Sequence, residues 1–232
     1  MTRHHLPAAG PDLADLALTL KRSPRARRIS LRVSAIDGQV TLTVPPGVPD
    51  RVALDFAAQK ADWLRRNVAR FDAAQPVAPG GVLPVEGQPF QITRGDGRRI
   101  RIEDGQLIVP GNPAQIGARL QAWLKTRARD RLSLASDHYA TALGRSYTRL
   151  TLRDTRSRWG SCTSDGGLMY SWRLIMAPPE VLDYVAAHEV AHLAEMNHSP
   201  AFWAIVHRLY GDHRAARGWL RQNGAALHRH VF

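Results

Sequence analysis

The motif H-E-V-A-H, running from His188 to His192, limits what this chain can fold into more than any other stretch of it. Two histidines four residues apart on a helix share a face and can grip one metal ion. Glu189 follows His188 by about 100° of helical rotation. It can flank such an ion without binding it and take a proton from a water that the ion activates. Imidazole ligands favour zinc, held by three protein side chains with a fourth position open.

The third ligand has two candidates. On a continuous helix Glu195 lies at i+7 from His188, on the same face, but the helix rises about 4.5 Å between residues 192 and 195 and carries Glu195 away from the ion. His198 lies beyond the expected helix end near Asn197, just before Ser199-Pro200, a cap followed by a first-turn proline. A chain turning there brings the His198 imidazole back, so His198 is favoured. The metzincins also use a third histidine at this spacing, but their motif has glycine where this chain has Glu195. A different turn is required here. A purely structural zinc site would usually be four-coordinate and rich in cysteine. The lone Cys162 lies on another element and reads as a small packing residue.

Around the motif the apolar pattern alternates between the two regular periods. Residues 16–20, 29–33 and 40–44 alternate as strands, with Asp37-Gly38 turning between the second and third. Asp50 is expected to cap a helix over 50–70. Residues 72–83 form a Pro/Ala/Gly loop. Four more short strands follow at 82–85, 90–93, 100–102 and 107–109. Asn112 caps a long helix over 113–143, stopped by Gly144. Residues 150–152, 158–163 and 168–172 form further strands, the last two a hairpin. Pro178-Pro179 opens the motif helix, Ser199-Pro200 the next, and Asp212 the last.

This pattern predicts an α+β protein in three parts: a loose tail over 1–12, a β-rich N-terminal region over 13–110 with one helix, and a C-terminal domain over 111–232. The strand at 168–172 is expected at a sheet edge, where an extended substrate backbone could pair with it. Arg158, Tyr170, His207 and Tyr210 are candidate stabilisers of an oxyanion.

Charge and composition bound the partners. The net charge is +12, and it is almost all arginine, with lysine only at 21, 60 and 125. That charge leaves a nucleotide or nucleic-acid partner open as an alternative, although an arginine-rich composition alone produces it. No apolar run approaches a membrane span, residues 1–12 lack a signal-peptide core, and a single cysteine fits a reducing compartment. A cytoplasmic location without membrane attachment is expected.

Residues 158–162 (R-W-G-S-C), 170–173 (Y-S-W-R) and 188–203 (H-E-V-A-H-L-A-E-M-N-H-S-P-A-F-W) resemble the YgjP-type metal-dependent hydrolases, relatives of the SprT and WLM zinc peptidases. Residues 27–33, 44–47 and 60–64 fit the same pattern more weakly. The resemblance implies a zincin-like C-terminal domain, with a small antiparallel sheet and a metal-binding helix bundle, behind the β-rich region. It implies zinc, with His188, His192 and His198 as ligands and Glu189 as general base. A peptide or protein substrate is the leading expectation. A metal-dependent nucleotide or phosphoanhydride hydrolase, or a nucleic-acid-associated protease of the SprT kind, is the alternative.

Overall fold

The structure is a computed structural model that describes residues 2–5, 17–34, 38–68 and 74–232. The chain divides into two compact units, Met1–Ala74 and Gln75–Phe232. The strands expected at 82–109 thus share a unit with the motif helix.

In the first unit, β1 (Thr2–His5), β2 (Ala17–Arg22), β3 (Ser30–Val33) and β4 (Val40–Val44) form one sheet in the order β1-β2-β4-β3. β2 and β4 run parallel and the outer pairs antiparallel. The alternation of β4 is read directly as burial: Val40, Leu42 and Val44 face a core that includes Leu18, Leu20, Ala53, Ala57 and Leu64. Two expectations change here. Thr2–His5 are a strand instead of loose tail, while residues 6–12 lie outside the described residues. The helix expected over 50–70 is two helices, α1 (Asp50–Gln59) and α2 (Ala61–Val68), because the Lys60 amide donates back to Ala57 and closes the first. Asp50 sits inside the first turn, where its charge suits the helix dipole, and pairs with Arg22. Leu16, Asp37 and residues 69–70 of these expectations lie outside the described residues.

The second unit opens with β5 (Gln75–Pro76). A sheet follows of β6 (Val82–Val85), β7 (Gln88–Gly95), β8 (Arg101–Glu103) and β9 (Gln106–Pro110), ordered β6-β7-β9-β8. The Asn112 carboxamide accepts from the Ala114 amide and starts a short 3-10 turn; α3 (Ile116–Leu143) continues from it and ends at Gly144, whose φ of 69° is left-handed. A three-stranded sheet comes next, built from β10 (Arg149–Arg153), β11 (Gly160–Cys162) and β12 (Gly167–Ser171). Then come α4 (Pro179–Ala191), α5 (Pro200–Tyr210), α6 (Arg214–Asn223) and β13 (His230–Val231), which pairs in parallel with β5. No described helix is long and apolar enough to cross a membrane.

α4 is the central helix of this unit. Val181, Leu182, Val185, Ala186, Ala187, Val190 and Ala191 are all buried, so it has no broad solvent face. α3 lies against it with Leu120, Leu124, Ala128 and Leu132, an i+4 ridge that is fully buried. Two contacts fix where α4 begins. The turn between β6 and β7 has Glu86 and Gly87 at positive φ, and their amides donate to the carbonyls of Ile175 and Met176. A Cβ on Gly87 would come 2.9 Å from the Pro178 Cα, so the turn tip is packed against the helix start. Behind β12, the buried Arg173 donates to both oxygens of Asp154 at 2.6 and 3.1 Å. It also donates to the carbonyls of Leu227 and His230, at 2.9 and 3.1 Å. One guanidinium thus ties the sheet to the last described turn and strand.

Candidate metal centre

α4 carries His188 and Glu189 in its last turn, and His192 is its cap residue. The helix was expected to continue to about Asn197, but it stops at Ala191. The Leu193 amide donates to Val190 at 2.9 Å, a tighter i−3 bond, and the chain leaves the helix. Glu195 therefore never reaches an i+7 helical position, and helix rise is not what separates it from the histidines. The turn instead presents its backbone: the Glu195 carbonyl lies 2.9 Å from Nδ1 of His192. A carbonyl only accepts, so Nδ1 of His192 carries the hydrogen and Nε2 is left with a free lone pair.

The restart is as the sequence indicated. The Asn197 carboxamide accepts from the Ser199 amide at 3.0 Å, and Ser199 Oγ accepts from the Phe202 amide at 3.3 Å. Pro200 occupies the first turn of α5. His198 stands in the seam between the two helices. The ligand atoms of His188, His192 and His198 lie within 4.8 Å of one another, and the described residues contain no other such group of metal-ligating side chains. Nε2 of His198 is 3.1 Å from Nε2 of His188. Two nitrogens on one tetrahedral zinc stand about 3.3 Å apart, so the spacing suits a shared ion. Burial, reinforced by the two neighbouring imidazoles, pushes His188 down to about 3, and burial also lowers His192. Both are therefore neutral near pH 7, the form that binds metal. Three imidazoles fit a divalent ion that keeps one position open.

Three aromatic neighbours were not anticipated. The fully buried Phe202 ring contacts all three imidazoles, with centroids 4.9, 4.4 and 4.8 Å from His188, His192 and His198. Trp203 borders His188 and His198, at 5.7 and 5.9 Å. His213 stacks on both Tyr184 and Trp203. A signal for Trp203 was present in the sequence: the fourth residue after a Ser cap packs against the one before it, here His198.

Glu189 is buried at 6% exposure. Its neighbour is Gly160 of β11: a Cβ there would lie 2.5 Å from Cγ and 2.6 Å from Oε1 of Glu189. Burial pushes the Glu189 carboxyl up to about 8, and the Arg158 guanidinium acts in the opposite direction. Cys162, on the same strand, is pushed up to about 11 by burial and by the charges of Glu189 and Asp165. It stays a protonated thiol at neutral pH, in line with a packing role.

Two further expectations are corrected. β12 is not an edge strand. The order is β10-β12-β11, with β10 parallel and β11 antiparallel to it, so the sheet is mixed and β12 is its centre. The edge beside Glu189 belongs to β11, whose far side pairs with no described strand. Among the candidate oxyanion stabilisers, Tyr170 is fully buried with its hydroxyl 3.1 Å from Ser136 Oγ. Tyr210 donates to the Glu180 carbonyl at 2.8 Å, and His207 Nδ1 is 3.2 Å from the Gly211 carbonyl at the end of α5. Arg158 alone remains exposed and within electrostatic reach of Glu189.

A hollow of roughly 590 Å³ is lined by His192, Leu193 and Met196 on one side and Thr141, Arg145 and Asp165 on the other; His188 and His198 do not border it. A sequence model described as YgjP-like, metallopeptidase domain, matches residues 27–223 of the chain. Among curated proteins, none matches it. Among solved structures, it is similar to the crystal structure of the metallopeptidase zymogen of Pyrococcus abyssi abylysin. That similarity has 20% identity and a TM-score of 0.37, and it covers 44% of this chain and 99% of that one.

Proposed function

This chain belongs to the YgjP-like metallopeptidase family, and on that premise we propose that it hydrolyses peptide bonds with zinc held by His188, His192 and His198 and with Glu189 as general base. The observation that carries the reading is the convergence of three imidazoles, within 4.8 Å, beside one buried carboxylate. When bound, the zinc ion supplies Lewis acidity, which polarises a carbonyl and makes water acidic enough to lose a proton near neutral pH.

The chain's own residues do the rest. Glu189, held against Gly160, accepts a proton at Oε1 or Oε2 and passes it to the leaving amine. Its environment suits both states. Burial favours the neutral carboxyl, while the Arg158 charge, joined by that of a nearby dication, favours the carboxylate. The edge of β11 that pairs with no described strand offers backbone groups to an extended substrate, which would lay a peptide across the face of Glu189. Arg158 then reaches the negative charge that develops at the attacked carbonyl. The single thiol, protonated at neutral pH, is compatible with a reducing, cytoplasmic setting.

The test is a digest of a diverse peptide library by zinc-loaded protein, with Glu189→Gln as control. Cleavage by wild type and a loss of about 10²-fold or more in the variant, at unchanged zinc content, is expected. Equal behaviour of the two proteins would overturn the proposal.

A further inference from the structure

The outer face of the three-stranded sheet carries a second concavity, which shares only Arg158 with the proposed catalytic groups. Along β10, Leu150 and Leu152 point into the core and Arg149, Thr151 and Arg153 point away from it. These outward side chains, with Arg158, Ser157 and Ser161, line a hollow of roughly 420 Å³. Three arginines border it and none of its lining residues is acidic. Arg149 is shared with Asp165, to which it donates at 2.9 Å. Arg153 has no ion-pair partner among the described residues, and Arg158 meets a counter-charge only through space, at Glu189. Thr151 and Thr155 spend their hydroxyls on the carbonyls of Leu168 and Arg158, whereas the Ser157 and Ser161 hydroxyls bond nothing among the described residues. The hollow therefore holds cationic forks and free hydroxyls, the donors that bind carboxylates.

Its position connects it to Glu189. Ser161 lies on β11 between Gly160, which touches Glu189, and Cys162. Arg158 lines the hollow and also acts on Glu189. A chain lying along the open edge of β11 turns alternate side chains to this outer face, and a segment leaving that edge passes over the hollow. We propose that the hollow binds an acidic segment of the substrate, so that the enzyme selects peptides carrying clustered Asp or Glu beside the scissile bond. This rests on the peptidase reading above. No aromatic ring is exposed in the hollow on which bases could stack, which favours an acidic peptide over a single-stranded nucleic acid.

The experiment compares zinc-loaded wild type and Arg153→Glu on matched peptides with an Asp/Glu, a neutral Ser/Asn or a Lys tract on either side of a common scissile sequence. Arg153 is exposed, so the substitution leaves folding intact. Wild type is expected to prefer the acidic over the neutral peptide by about tenfold in kcat/KM, with the preference shrinking as salt rises. Arg153→Glu should lose that preference and move it toward the Lys tract, a reversal that a merely structural role of Arg153 would not produce. Cleavage of all three peptides at equal rates by both proteins overturns the inference and leaves the peptidase reading standing. Cleavage of none of them by wild type counts against the peptidase reading instead. If an oligonucleotide of single-stranded DNA displaces a fluorescent acidic peptide from wild type far better than an unlabelled acidic peptide does, the hollow is a nucleic-acid site and the inference is wrong.

Discussion

Gly160 leaves no room for a methyl group between its backbone and the Glu189 side chain, since a Cβ would stand 2.5 Å from Glu189 Cγ. Its φ is not in the left-handed region, so alanine is conformationally acceptable there and the conflict is steric alone. Gly160→Ala should push the carboxylate off its position. A displacement of about 1 Å costs on the order of 10² in rate. We expect kcat to fall by about that factor while zinc content, measured by atomic absorption, stays at the wild-type level. Unchanged kcat would show that Glu189 does not need this position.

The two rival ligands separate cleanly. Glu195 meets His192 through its backbone carbonyl, which survives Glu195→Ala. That variant should retain zinc, whereas His198→Ala should lose affinity by about 10²-fold or more, as a site reduced to two imidazoles does. Competition with a chromogenic chelator measures both. Weakened binding in Glu195→Ala, with His198→Ala unaffected, would reassign the third ligand.

Phe202 should act as a backing plate for the three proposed ligands. Phe202→Leu keeps the site apolar but removes ring contacts with three imidazoles at once. Zinc affinity should fall by about tenfold, with a stability loss of about 1–2 kcal/mol from the smaller side chain. Chelator competition reports the first and thermal unfolding of the metal-free protein the second. Stability lost without any change in affinity would make Phe202 a packing residue only.

The Arg173–Asp154 pair gives a pH-dependent prediction. Burial works against the Asp154 carboxylate, but the hydrogen bonds and charge of Arg173 outweigh it and hold Asp154 below its ordinary range. A lowered folded-state pKa adds stability above the ordinary Asp value of about 4, and that stability is lost as pH falls through the lowered value. The Tm gap between wild type and Asp154→Asn should thus be constant above about pH 5 and close below pH 4. Arg173→Ala removes the donor to two carbonyls as well. It should cost about 3 kcal/mol, or roughly 10 °C in Tm. A gap that widens on acidification would reverse the assignment.

What could be read in advance was local. Ser199-Pro200, Asn112 and Gly144 each mark a helix boundary through their own side chain or backbone freedom, and the boundaries fall where those residues put them. The end of α4 carries no such mark. His192 to Met196 holds neither glycine nor proline, and the helix yields there to a bond between the His192 ring and the Glu195 carbonyl. The neighbours of β12 were equally hidden, because alternation says which face of a strand is buried and nothing about which strands flank it. The site histidines were legible from spacing. Phe202 and Gly160, which shape the space around them, become visible only once β11, α4 and α5 are brought together.

Because α4 stops at His192 and α5 starts at Pro200, the proposed ligands stand on either side of residues 193–197, a connector with no strand or helix of its own. An ion held there would work as a clasp across that connector. Its occupancy should then be legible in amide exchange: zinc should slow deuterium uptake over 193–199 and leave the sheet of β6 to β9 unchanged. The metal state of the protein could be followed this way in preparations for which no substrate has been found.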